Sequence, residues 1–277
     1  MAAVSKINAE VFFSPAQVDE LLLRDKNVVV IDILRASTTI ATALNNGARE
    51  VIPVPSIESA VKISGSLFGE VTLRGGERHG KIIAGFNLGN SPVEYTEEIV
   101  KGKSIIYCTT NGSLAITKGR HAKNLVVGSF VNVTKVAEFI NQLSEDFSIL
   151  CAGQMNNFCI EDSVCAGMIL YKIQQLLKNS LCIDDSASAS ISLYKVYSKS
   201  LLKMIEQSAH GKYLSEIGFG DDLKICASVD SIPVVPILSG NLITLKKEQE
   251  KQSEHNSKSQ TKSSVKKIKI DGRNFSK

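Results

Sequence analysis

The chain has 277 residues, 43% hydrophobic and 22% charged, with 19 glycines and 6 prolines; this supports a large core and excludes global disorder and a collagen-like or low-complexity chain. The formal net charge of +4 is uneven: residues 246–277 carry 10 Lys and Arg against 4 Asp and Glu, which leaves the first 245 with 22 basic and 24 acidic side chains, a net of −2. A mildly acidic body with a basic tail argues against nucleic-acid binding by the folded part.

In chain order, the first clear element is residues 28–34 (VVVIDIL), an apolar run that reads as a buried parallel strand. Further strands are expected at 50–54, 104–108, 125–128 and 147–151, and helical patterns between them at 37–46, 56–68, 92–100, 113–119 and 131–143. Gly47 is placed to end the first helix, and Ser91 before Pro92, with Glu94 following, reads as a helix start. The second half is more helical. Long amphipathic helices are expected at 160–178 and 191–208, with 186–192 (SASASIS) as a linker or helix start and late strands at 234–238 and 242–245. Strands alternating with helices of about ten residues predict a three-layer α/β/α fold with a mainly parallel sheet. Residues 1–245 are expected to form this α/β body, with room for two subdomains parting near 145–190. Residues 246–277 are expected to be a disordered Lys/Ser-rich tail.

No run of 18 apolar residues could span a membrane, and residues 1–15 lack the apolar stretch of a secretory signal. The six cysteines, at 108, 151, 159, 165, 182 and 226, form no C-x-x-C pair, so a zinc ribbon and a thioredoxin motif are excluded. Reduced thiols in the cytoplasm are the simplest account.

Open α/β sheets bind ligands at the carboxyl ends of their strands, and polar residues collect at those ends here. Asp32 lies inside an apolar strand, where a carboxylate is costly unless bonded. It reads either as a structural acceptor or as a metal ligand or catalytic group. Arg35 follows, with Ser37, Thr38 and Thr39 at a helix start, a pattern that suits helix capping and anion binding alike. Residues 109–113 (TTNGS) offer Thr110, Asn111, Gly112 and Ser113 for a phosphate, and Ser129 and Asn132 follow the next strand. Neither G-x-x-x-x-G-K-[ST] nor G-x-G-x-x-G after a strand occurs, which disfavours nucleotide binding. The stretch 74–92 (RGGERHGKIIAGFNLGNSP) holds five glycines beside Glu77, Arg78, His79 and Lys81, and it ends on Asn90 and Ser91. His79 alone reads as an exposed loop histidine, and His121 and His210 lie in no evident catalytic setting. Glu161 and Asp162 begin a helix, as acidic residues ordinarily do. With Asp32 and Glu77 they could instead surround a hard cation such as Mg²⁺.

These same residues carry a resemblance. DILRASTT (32–39), GERHGKIIAGFNLGNSP (76–92), CTTNGS (108–113), GSFVN (128–132) and CAGQMNNFCIEDSVCAG (151–167) resemble, in order and spacing, the 2-phosphosulfolactate phosphatase family, as does HGKYLSEIGFGDDLKICASVD (210–230). The resemblance covers about residues 5–240 and implies a Mg²⁺-dependent hydrolase. Its reaction would convert 2-phospho-3-sulfolactate to sulfolactate and phosphate, a step associated with coenzyme M synthesis. Asp32, Glu77, Glu161 and Asp162 would then supply metal ligands, and Arg35, Arg78 and the 110–113 amides would hold the substrate's anionic groups. The implied partner is a small phosphorylated hydroxy acid, with no nucleic acid or membrane; a homodimer stays open. The second reading is a non-catalytic phosphate- or phospho-acid-binding descendant of the fold. One departure stands out: Asn87 occupies a position where the family has Asp, which keeps an oxygen ligand but removes a charge.

Overall fold

The computed structural model describes residues 6–66, 71–177 and 181–246. Its strands are β1 (Ile7–Phe12), β2 (Asn27–Ile31), β3 (Glu50–Pro53), β4 (Thr72–Arg78), β5 (Lys81–Ile82), β6 (Ser104–Cys108), β7 (Asn124–Gly128), β8 (Phe147–Cys151), β9 (Leu181–Ile183), β10 (Pro236–Ser239) and β11 (Leu242–Leu245). The helices are α1 (Ala36–Asn45), α2 (Ile57–Ser66), α3 (Glu97–Val100), α4 (Gly112–Lys118), α5 (Val133–Leu143), α6 (Ile160–Leu177), α7 (Asp185–Tyr197), α8 (Leu201–Gln207), α9 (Ala209–Glu216) and α10 (Gly220–Cys226). The expected tail lies outside the described residues from 247 onward, as do the expected helix ends at Phe68 and Lys178.

The strands join in the order β5-β4-β6-β3-β11-β10-β7-β2-β8-β1-β9. Two parallel blocks are present, β4-β6-β3 and β7-β2-β8-β1-β9. The antiparallel hairpin β10–β11 splices them, pairing antiparallel to β7 on one side and to β3 on the other. Three successive antiparallel joins make the two blocks run in opposite senses. The sheet is therefore mixed, though mostly parallel.

Strand side chains alternate between faces, and the core follows that period. Val29, Ile31, Ile149 and Cys151 pack in one cluster with buried residues of α5 and α6. Val28, Val30 and Leu150 point the other way, into a cluster with Ile40 of α1, Ile116 of α4, and Ile105 and Tyr107 of β6. Helices α1 and α4 thus share one apolar layer with strands of both blocks. A third cluster sets Ile106 and Cys108 against Ile52 of β3 and Ala60 of α2. Burying each of these large aliphatic side chains contributes roughly 1.5–3 kcal/mol.

Several elements differ from the sequence expectation for identifiable reasons. Residues 92–100 break into a 3₁₀ turn at Pro92–Glu94 and the short α3, because Ser91 does not cap: its hydroxyl donates to Asp222 Oδ1 at 2.7 Å. Residues 191–208 form two helices, α7 and α8. The small-residue stretch 186–192 lies within α7, whose N-cap Asp184 accepts from Ala187 N at 2.7 Å. Small residues suit that place, because a Cβ added at Gly167 of α6 would collide with the Ser190 carbonyl. Gly47 does follow the end of α1 with φ +87°, and its N–H donates to Leu44 O.

Candidate active site

Asp32 follows β2 directly and is fastened at the start of α1. Its N–H donates to Ser37 Oγ at 2.8 Å, its carbonyl accepts from Ser37 N at 2.8 Å, and its Oδ1 accepts from Ala36 N at 3.2 Å. Burial pushes its carboxyl from an ordinary 3.8 up to about 6; His210 and the Ala36 N–H oppose the rise, while Glu77 and Glu161 add to it. Gly112 opens α4 against it: an added Cβ would stand 2.7 Å from Asp32 Oδ2 and 2.6 Å from Ala36 Cβ. Only a bare backbone lets α4 begin that close.

Glu77 ends β4. Its Oε1 accepts from Thr110 N at 2.7 Å, and its Oε2 accepts from Gly80 N at 2.9 Å and Thr110 Oγ1 at 3.2 Å. This carboxylate fixes the β4–β5 turn to the end of β6. Arg35 is 1% exposed, and two of its five N–H donors are engaged within the protein. Nη1 donates to Asp222 Oδ2 at 2.6 Å, Nη2 donates to Gly80 O at 2.8 Å, and the guanidinium lies 4.2 Å from the Phe219 ring centroid. The pair with Asp222 thereby ties the hairpin turn to α10.

A crevice of about 310 Å³ lies where these ends meet. Among its lining residues are Asp32, Arg35, Glu77, Asn90, Thr110 and Asn111, all expected from the sequence. Ends of both parallel blocks contribute, Asp32 and Gln154 from one, Glu77 and Thr110 from the other. Other expected residues stand behind this wall as scaffold. Thr38 Oγ1 and Ser129 Oγ are 2.8 Å apart, Thr39 Oγ1 donates to Asn90 O, and Ser113 Oγ accepts from Thr109 N. Asn132 bonds Ser129 N and the carbonyls of Val127 and Val234. Ser37 serves Asp32 and Ser91 serves Asp222, as described above. Gly112 contributes its lack of a side chain. Arg78 does not line the crevice; its guanidinium donates to Glu77 O and to Cys108 Sγ.

The four expected metal ligands part company. Asp162 is buried and both oxygens are taken, by Ile33 N at 2.8 Å and Gly153 N at 3.0 Å; burial raises its carboxyl well above the usual range. Glu77 is likewise filled by backbone and hydroxyl donors. Among the described residues, no group of three or more His, Cys, Asp or Glu side chains is arranged to hold a metal ion. Glu161 is different: it is 1% exposed, and its Oε1 has no hydrogen-bond partner. Nδ1 of His210 stands 3.6 Å from that oxygen. A buried carboxylate oxygen without a donor is costly, and Glu161 lies close enough to Asp32 to add to the rise of its carboxyl. Two hard oxygen donors of this kind fit Mg²⁺, which is bound through one or two carboxylates with water and phosphate oxygens completing its shell. Asn87 is outside this setting. It is exposed, and its Oδ1 accepts from Arg74 N at 2.9 Å, a turn-forming bond that Asp would make equally well.

The sequence reading missed His210, Tyr213 and Leu214 of α9, together with Gln154 and Met155, all of which line the crevice, as does His79. The signal was the HGKYL stretch, whose chemistry becomes evident only once α9 folds back over the β4–β5 turn. Tyr213 OH donates to His79 O at 2.9 Å, and Gly80 is pressed against Ile217, Leu214 and Tyr213.

Comparison with known proteins adds an independent line. A family model described as 2-phosphosulpholactate phosphatase matches residues 12–241. A protein of Caldanaerobacter subterraneus subsp. tengcongensis named "Probable 2-phosphosulfolactate phosphatase" is 41% identical over 221 residues, 80% of this chain and 91% of that protein. Proteins of the same name from Clostridium novyi and Clostridium acetobutylicum are 38% and 37% identical over 227 residues, 82% of this chain and 95% of each relative.

Proposed function

Because the chain belongs to the 2-phosphosulpholactate phosphatase family, we propose that it is a Mg²⁺-dependent phosphoric monoester hydrolase. Its substrate is 2-phospho-3-sulfolactate, and its products are sulfolactate and phosphate. The observation that carries the reading is the crevice itself. It sets the buried carboxylate of Asp32 among the side-chain amides of Asn90 and Asn111 and the imidazole of His210, and behind His210 stands Glu161 with its Oε1 unpartnered.

In this reading Asp32 and Glu161 hold the metal. Mg²⁺ there supplies positive charge to the phosphate oxygens and to the transition state of phosphoryl transfer. The chain's own residues position the reactants. Glu77 takes both the N–H and the hydroxyl hydrogen of Thr110 and so fixes the turn from which the Asn111 side-chain amide would orient the phosphate. Asn90 is steadied by a hydrogen bond from Tyr107 OH. Leu34, Met155 and Leu214 add apolar surface to the lining of the crevice. Hydrolysis adds water across the ester bond: oxygen goes to phosphorus, the P–O bond to the sulfolactate carbon skeleton breaks, and a proton goes to the departing alkoxide.

Phosphate release from 2-phospho-3-sulfolactate tests this. Release should stop on chelation and return with Mg²⁺. Full activity in metal-stripped protein would overturn the metal assignment. A chain that binds the ester without releasing phosphate would be the non-catalytic binder.

A further inference from the structure

Asp222 does not line the crevice, yet its bonds reach the crevice wall. It follows Asp221 in the first turn of α10, and the two neighbours differ. Asp221 is exposed and pairs with Lys224 at 2.9 Å on the same helix. Asp222 is 3% exposed; its Oδ2 accepts from Arg35 Nη1 at 2.6 Å and its Oδ1 accepts from Ser91 Oγ at 2.7 Å. A buried ion pair gains little stability over apolar residues of similar volume, so stability alone does not account for it.

We propose that Asp222 is a positioning residue for substrate binding. It fixes the Arg35 guanidinium so that the remaining donors serve an anionic group of the ester, and Ser91 holds Asp222 in turn. The proposal rests on the phosphatase reading for the nature of the ligand. Three observations carry it. First, the guanidinium is held from three directions: by Asp222 on Nη1, by Gly80 O on Nη2 at 2.8 Å, and by the Phe219 ring, whose centroid lies 4.2 Å from Cζ. Second, those bonds use two of five N–H donors, which leaves three on a side chain that lines the crevice. A rigid planar fork with spare donors suits an oxyanion. Third, Asp32 and Glu77 line the same crevice, yet the ion pair of Arg35 is with Asp222. Without Asp222 the guanidinium would be a buried charge lacking its counter-ion, and those carboxylates would compete for it.

Kinetics of the full chain with 2-phospho-3-sulfolactate at saturating Mg²⁺ test this, with each rate corrected for the folded fraction. Asp222→Asn should lower kcat/KM at least about tenfold, the value of one charge-assisted contact, and Ser91→Ala about three- to tenfold. Asp221→Asn, the surface control, should stay within about twofold of the wild type. Beside Arg35→Met, Ser91→Ala should cause no further loss, because both act through the same guanidinium. An unchanged kcat/KM in folded Asp222→Asn, or a Ser91→Ala loss that persists beside Arg35→Met, overturns the proposal. Side-chain ¹H–¹⁵N spectra guard against an Asp222 or Arg35 variant that fails to fold. In the wild type the Arg35 guanidinium should give separate Nη1 and Nη2 signals that move with the ester, and in Ser91→Ala these should broaden. Arg35 signals that ignore the ester, or that are the same in Ser91→Ala, also overturn it. Phosphate release by the wild type decides the phosphatase reading separately. If the ester binds without release, that reading fails, and the same comparison is made on calorimetric Kd values. Normal release with an unimpaired Asp222→Asn protein leaves that reading standing and removes the role of Asp222.

Discussion

Neighbouring carboxylates in one helical turn do opposite work here. Asp162 spends both oxygens on backbone N–H groups that join β2 and the loop after β8 to α6. Glu161 keeps an oxygen unpartnered beside His210. Their substitutions should therefore separate. Asp162→Asn should destabilise the fold by about 1–3 kcal/mol, since one backbone donor loses its acceptor, and this can be read as a lower unfolding midpoint in denaturant. Glu161→Gln should leave the midpoint of the metal-free protein unchanged or raised, while removing the increase in melting temperature that Mg²⁺ gives the wild type. Asp32 adds a pH signature. Its carboxyl titrates at about 6 in the folded chain against an ordinary 3.8, so the folded state holds the proton more tightly. The stabilisation is present below pH 3.8 and is lost as pH rises through about 6. A tenfold difference in proton affinity between folded and unfolded chain is worth about 1.36 kcal/mol. Metal-free protein should therefore lose roughly 2–3 kcal/mol across that window. Asp32→Asn should flatten that part of the profile; an unchanged slope would show that Asp32 is not the group responsible.

At the scale of elements, two glycines set distances on which function and stability depend. Gly112→Ala would drive a methyl group against Asp32 Oδ2 and Ala36 Cβ. It should cost turnover far more than melting temperature, which parallel kinetics and calorimetry would show. Gly167→Ala would instead strike the Ser190 carbonyl where α6 crosses α7, and should destabilise by about 1–3 kcal/mol through overpacking. The buried strands β2, β6, β7 and β8 were legible in the sequence because both of their faces are apolar. Strands β1 and β4 were not. INAEVF alternates weakly over six residues, and TLRGGER is polar with two glycines, one of which, Gly76, lies so close to Cys108 O that no side chain fits. The hydroxyl-rich helix starts were legible as polar strand ends. Whether each hydroxyl faced a ligand or its own backbone was not, because that depends on χ1 and on neighbours far along the chain. Ser91, bonded to Asp222 131 residues away, is the plainest case.

For the whole molecule, the consequential feature is the hairpin that splices two parallel blocks of opposite sense. The crevice draws on both blocks, so its geometry depends on that splice. Ile243 of β11 sits at the join opposite Val51, with no exposed surface. Ile243→Ala should cost about 2–5 kcal/mol, and activity should fall with the folded fraction in a denaturant titration. The functional role proposed for the crevice around Asp32 is hydrolysis of a phosphate ester of a sulfonated hydroxy acid. The decisive experiment determines kcat/KM for 2-phospho-3-sulfolactate at saturating Mg²⁺, in the wild type and in Asp32→Asn, with circular dichroism of both. The wild type should turn over, and the variant, still folded, should lose at least about a thousandfold, roughly 4 kcal/mol of transition-state stabilisation. A folded Asp32→Asn protein within threefold of the wild type would contradict that role.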